Sequence, residues 1–137
     1  MPTIVAIENE FATVQVHPEH GIVHHRFKKF IYGERFREAL MAGVELMETH
    51  GATKWLSDDR NNGALNAADS EWSMTAWSDR ALRAGWRSWA VVLPEVVVGQ
   101  MNMRRFVQLH KSNGVEVRVF TDPDLAMAWL VELDGRG

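Results

Sequence analysis

The chain has 137 residues, 15 Lys and Arg against 18 Asp and Glu, a net charge of −3 with His neutral, and 46% apolar residues. At roughly 150 residues per domain this is one compact domain, 1–137, and a two-domain enzyme is excluded. A slightly acidic balance without a clustered basic face argues against nucleic acid as a partner. The absence of cysteine removes disulfides, thiolate metal sites and thiol catalysis.

The N-terminus lacks a basic lead and reaches acids by Glu8, unlike a secretory signal. The longest apolar stretch, Trp89 to Val98, is broken by Pro94 and Glu95 and falls short of the ~20 residues of a membrane-spanning helix. The expectation is a cytoplasmic protein of bacterial type with no membrane span.

Thr3 to Ile7, Phe11 to Val16 and Ile22 to Lys28 are β-rich runs separated by turn residues, so the chain opens as an antiparallel meander. After Tyr32-Gly33 the period changes. Phe36, Ala39, Leu40, Gly43, Val44 and Met47 line one face of a helix that Gly51 ends. Thr53 to Ser57 is a short strand, followed by a polar loop from Asp58 to Leu65. Asn66, with Asp69 three residues on, caps a helix that runs towards Gly85. Ser88 to Leu93 is a continuous apolar run, as expected of a strand covered on both faces, and is placed at the sheet centre. Val96 to Ser112 reads as a helix stopped by Asn113-Gly114. The alternation of Val115, Val117 and Val119 gives a half-exposed last strand, and Asp122-Pro123 opens a final helix. The predicted order is βββαβαβαβα, an α/β domain with a mixed sheet.

This order, with KWLSDDRN after the fourth strand, WAVVLPE in the centre and FTDPDLAMAWL near the end, resembles the STAS-like superfamily, similar to SpoIIAA anti-sigma-factor antagonists and grouped with Sec14-like lipid-binding folds. Glu71-Trp72 matches a further feature of an uncharacterised bacterial subgroup. In STAS antagonists the loop after the fourth strand carries Asp-Ser-Ser or Asp-Ser-Thr, whose hydroxyl a kinase phosphorylates. Here it reads Ser57-Asp58-Asp59-Arg60-Asn61-Asn62-Gly63, with the hydroxyl ahead of the acids.

In open α/β sheets ligands gather beyond the carboxyl ends of the strands. That edge collects Asp58, Asp59, Arg60, Asn61 and Asn62 from one loop, Glu95 from the next and Asp122 from the third. Adjacent carboxylates beside an Arg suit acid and base work or an oxygen-ligated cation; the plainer expectation is that they cap backbone amides and pair with Arg60 in solvent. At about 100° per residue Trp72 lies nearly opposite Trp77 and Ala81, on a polar face where a large aromatic marks an interface or a lid. The plainer alternative is that Trp72 folds under the preceding loop onto its own core. The other five Trp residues read mostly as core. His17, His20, His24 and His25 fall in one hairpin, but His24 and His25 point to opposite faces and no zinc spacing is present, so the hairpin is expected to be solvated or partly packed and to hold no metal.

The leading expectation is a non-enzymatic, homodimeric module of STAS-like type. It presents the Asp58–Gly63 loop and Trp72 to a protein partner, with no cofactor and no catalytic residue. The second is a pocket between sheet and helices for a small apolar or lipid-like ligand, as the Sec14-like resemblance implies. The third is a small hydrolase or lyase using Asp58, Asp59 and a His.

Overall fold

The computed structural model describes residues 2–134; the extreme ends of the expected 1–137 domain lie outside the described residues. Six strands form one sheet in sequential order: β1 (Ile4–Glu8), β2 (Ala12–His17), β3 (Ile22–Phe27), β4 (Lys54–Asp58), β5 (Ser88–Val92) and β6 (Glu116–Phe120). The first two pairings are antiparallel and the remaining three parallel. The helices are α1 (Gly33–His50), α2 (Ala67–Trp72), α3 (Ser78–Arg83), α4 (Val97–Ser112) and α5 (Pro123–Asp134). A π turn, Ser73–Trp77, joins α2 to α3 as one continuous helix. This is the βββαβαβαβα order and the mixed α/β sheet expected from the sequence.

Successive parallel crossovers of one hand put their helices on one face of a sheet. Here α1, α2, α3 and α4 cover one face around Val14, Val16, Val23, Trp55, Trp89 and Val91, while α5 covers the other around Ile22, Leu56, Ala90 and Val92. Strand alternation makes this division. In β4, Trp55 and Ser57 face the four-helix side, and Leu56 and Lys54 face α5, whose Leu130 carbonyl accepts a hydrogen bond from Lys54 Nζ at 2.8 Å.

One placement is corrected. Ser88–Val92 is covered on both faces but lies next to the edge strand β6, and the sheet centre falls between β3 and β4. Double burial of β5 comes from helices above and below it, so it reports cover and not centrality.

The capping signals are realised. Asn66 Oδ1 accepts from the Asp69 backbone N–H at 2.8 Å, and Asp122 Oδ1 from that of Asp124 at 2.8 Å. Asp69 also reaches across to α1, taking the Gly33 N–H at 2.8 Å and Arg37 Nε at 3.1 Å, and so binds the start of α1 to α2. No helix among the described residues is long and apolar enough to cross a membrane.

Candidate functional site

The loop after β4 inherits the strand's alternation, and this separates the two acids. Asp58, the last residue of β4, is buried and binds Arg60 with both oxygens, to Nε and to Nη2, each at 2.9 Å. Asp58, followed by the nearby charges of Glu95 and Asp122, raises the Arg60 pKa against the opposing effect of burial. Four of the expected residues therefore gather at one edge, Glu95 and Asp122 lying near the Asp58–Arg60 ion pair. Asp122 is occupied as the α5 cap, and Asn61 is exposed beside them.

Asp59 goes elsewhere. It is 4% exposed, and its Oδ1 accepts a hydrogen bond from His25 Nε2 at 2.8 Å. His25 sits on β3 beside Ser57 of β4, facing the four-helix side. The Trp55 indole N–H donates to His25 Nδ1 at 2.9 Å, so Nδ1 presents its lone pair and the ring proton is on Nε2, pointing at Asp59. Trp55, His25 and Asp59 thus form a one-way chain of donors ending on a carboxylate. In this geometry neither ring nitrogen is free to take a proton from a substrate, and Asp58 and Asp59 share no partner.

The chain of donors forms one wall of a cavity of about 60 Å³, room for a few water molecules or a small organic group. It runs along the sheet face from the starts of β4 and β5, at Trp55, Trp86 and Trp89, to the carboxyl ends of β3 and β4, at His25, Ser57 and Asp59, beneath α1, the π-turn helix and α4. Trp55, Trp77, Trp86 and Trp89 are among its walls, in edge-to-face or tilted contacts with ring centres 5.2 to 5.4 Å apart along the series Trp55, Trp77, Trp86, Trp89. Trp89 Nε1 donates to Ser57 Oγ at 2.8 Å, and Trp77 Nε1 to the Leu40 carbonyl at 2.9 Å. Each buried indole therefore keeps its polar edge satisfied while its ring lines the space.

On the α4 side His110 Nδ1 donates to the Phe106 carbonyl at 2.8 Å, and His110 Nε2 lies 2.8 Å from Ser78 Oγ. Burial lowers the His110 pKa, outweighing the upward pull of the Phe106 carbonyl. Asn62 and Asn102 stand towards the loop; Asn62 Oδ1 takes the Ile31 N–H at 3.1 Å and Asn102 Oδ1 the Leu65 N–H at 3.3 Å.

Of the expected residues, then, only Asp59 and Asn62 line the cavity. Trp72 does not. It is half-buried, edge-on to Phe36 at 6.3 Å with the Arg37 guanidinium 5.2 Å from its ring centre. Its expected place opposite Trp77 is corrected by the π turn. One residue more per turn removes roughly 100° of rotation between the two positions, which brings Trp72 round towards the core side.

Ser57 is 3% exposed, and its Oγ accepts the Trp89 indole N–H. His25, expected in a solvated or partly packed hairpin, is buried, whereas His24 is half-buried on the opposite face near His17 and Gln15. Among the described residues no group of three His, Asp or Glu side chains is placed to hold a metal.

Sequence reasoning missed His25, Ser57 and His110 as site residues. The available signal was two polar residues, His25 and Ser57, on strand faces whose other residues, Val23, Phe27 and Trp55, are apolar, since buried polar side chains must find partners. No family model, curated protein or solved structure matches the chain significantly.

Proposed function

We propose that this protein is a non-enzymatic binding module that takes a small, largely apolar molecule into the tryptophan-walled cavity. The observation that carries the reading is the cavity itself. Its walls include four buried indoles whose N–H groups are spent on fixed partners, with a few convergent polar groups at the carboxyl ends of parallel strands, where α/β folds hold their ligands. A volume of about 60 Å³ suits a small molecule rather than an acyl chain. The STAS-like resemblance, a cytoplasmic setting and homodimerisation remain part of the proposal.

The test is a titration of ¹⁵N-labelled protein with isobutanol and with benzene. The expected result is saturable movement of the Trp55 and Trp89 indole N–H resonances. Static indole resonances, with both probes in excess, would remove the reading.

A second reading, docking of a protein partner at the same edge, is favoured by one observation. Val97, Val98 and Met101 at the start of α4 are 63 to 69% exposed, beside Pro94 and Gly99 of the cavity lining.

A further inference from the structure

We infer that the molecule the cavity takes is a small cation, an ammonium with an apolar body, whose charged head rests against Asp59. The inference deepens the proposed binding function and rests on it.

The first ground is the state of the carboxylate. Asp59 is buried and lines the cavity, yet only Oδ1 receives a hydrogen bond, from His25; Oδ2 accepts none from any described residue. Among the described residues no buried side-chain oxygen or nitrogen is left without a partner. Oδ2 is therefore reachable from outside the packed protein. A buried acid with one donor is only partly compensated, because an ionised carboxylate can accept hydrogen bonds on both oxygens and favours an opposite charge.

The second ground is that, among the described residues, the cavity lining supplies no such charge. His25 is neutral in this geometry, because the Trp55 N–H occupies Nδ1. Arg60, the next residue in the chain, turns to the other side of the sheet and is held by Asp58. The cavity lining contains no Lys or Arg, and Asp59 is its one carboxylate.

The third ground is the wall. Aromatic faces carry a negative quadrupole and attract cations, most strongly the indole and most of all away from water. A neutral apolar molecule would use these walls but would leave Asp59 Oδ2 without a donor. An anion would meet a carboxylate in a lining that holds no Lys or Arg. An ammonium with a short branched alkyl body satisfies both, and the amide N–H groups of Asn62 and Asn102, whose carbonyl oxygens are already used, suit an acceptor elsewhere on the same molecule.

The experiment compares isobutylamine, protonated at pH 7, with isobutanol, its neutral counterpart of the same shape, by NMR titration of the wild-type protein. The indole N–H resonances and the Asp59 carboxyl carbon are followed together. The expected result is an affinity for the amine at least about tenfold above that for the alcohol, the difference between a charge-assisted and a neutral hydrogen bond. The Asp59 carbon should move only with the amine. In Asp59→Asn the preference should fall to near unity while isobutanol still binds.

Equal or stronger binding of the alcohol to the wild type overturns the cation assignment and leaves the cavity reading standing. A preference that persists in folded Asp59→Asn also overturns it. Failure of both probes to move the indoles overturns cavity binding as well. Because the wild-type ratio and the Asp59 carbon shift need no variant, a misfolded Asp59→Asn does not protect the inference.

Discussion

Gly43 on α1 is where the helix meets the floor of the cavity most closely, and replacing it with Ala tests how firmly Trp55 is held. A Cβ at Gly43 would lie 2.1 Å from Trp55 Cη2 and 2.7 Å from Cζ2, against an ordinary carbon contact of about 3.5–4.0 Å. The indole would have to retreat by well over an ångström. Its retreat is opposed on the packed side and could go only into the cavity, at the cost of its contacts: Trp55 is 1% exposed, edge-on to Trp77 at 5.2 Å, and tied to His25 at 2.9 Å. Overpacking of this kind costs about 1–3 kcal/mol, and losing the Trp55–His25 bond inside the protein about 1–3 kcal/mol more. Ala in place of Gly in a helix returns about 1 kcal/mol. The net expectation is a loss of about 1–5 kcal/mol, read as a fall in the urea midpoint of roughly 0.5–2.5 M for a slope near 2 kcal/mol/M. Trp55→Phe removes the colliding ring atoms, so Gly43→Ala should cost much less in that background. If Gly43→Ala unfolds at the wild-type midpoint or above it, helix propensity outweighs the clash and the packing described for Trp55 is refuted.

Three further perturbations follow from the same contacts. Trp72→Ala should cost about 2 kcal/mol in urea unfolding, less than a fully buried Trp, because the ring is half-buried against Phe36 and Arg37; a change within about 0.5 kcal/mol would return Trp72 to the surface. Asp69→Ala strips partners from the Gly33 N–H and Arg37 at once, with an expected loss of about 2–4 kcal/mol and faster amide exchange at Gly33. A slow-exchanging Gly33 in the variant would contradict that account. Acidification should also destabilise the fold. Burial pushes His24 down to about 4 from an ordinary value of 6.5, with the neighbouring His17 adding to it and Asp58 opposing. The unfolded chain therefore binds a proton there that the folded chain refuses, so this stability is present above pH 6.5 and is lost as pH falls from 6.5 through about 4. In His24→Gln the decline over that window should be shallower, and an unchanged slope would assign the acid sensitivity to another group, such as the buried His110.

What was legible in the sequence was whatever depends on neighbours within one turn or one strand. Periodicity placed α1 through Phe36, Leu40, Val44 and Met47, all buried in the structure. Asn66 and Asp122 announced two helix starts because a cap is a contact between residues three or fewer apart. The phase of Trp72 could not be obtained this way, because the π turn at Ser73–Trp77 inserts its extra residue where the sequence shows no Gly or Pro. The cavity was illegible for a different reason. His25 meets Trp55 and Asp59 across 30 and 34 positions, and Ser78 meets His110 across 32. Such partners are set by strand order and register, which local pattern does not encode.

The Asp58-Asp59 pair shows how much chemistry this division controls. Read as a dipeptide, the two acids invite a shared task. Read on a strand end, they must part, because consecutive residues leave a strand on opposite faces. Asp58 falls on the side where Arg60, Glu95 and Asp122 meet it, and there the charge is neutralised by a two-point ion pair close to solvent. Asp59 falls on the side of the indoles, where the protein offers a single neutral donor. Shifting the register of β4 by one residue would exchange them, placing the Arg60-bound acid in the cavity and the other among the surface charges. The pairing of Ser57 with His25 on one side and Val91 on the other fixes that register, so the same backbone hydrogen bonds that build the sheet also decide which carboxylate faces the cavity.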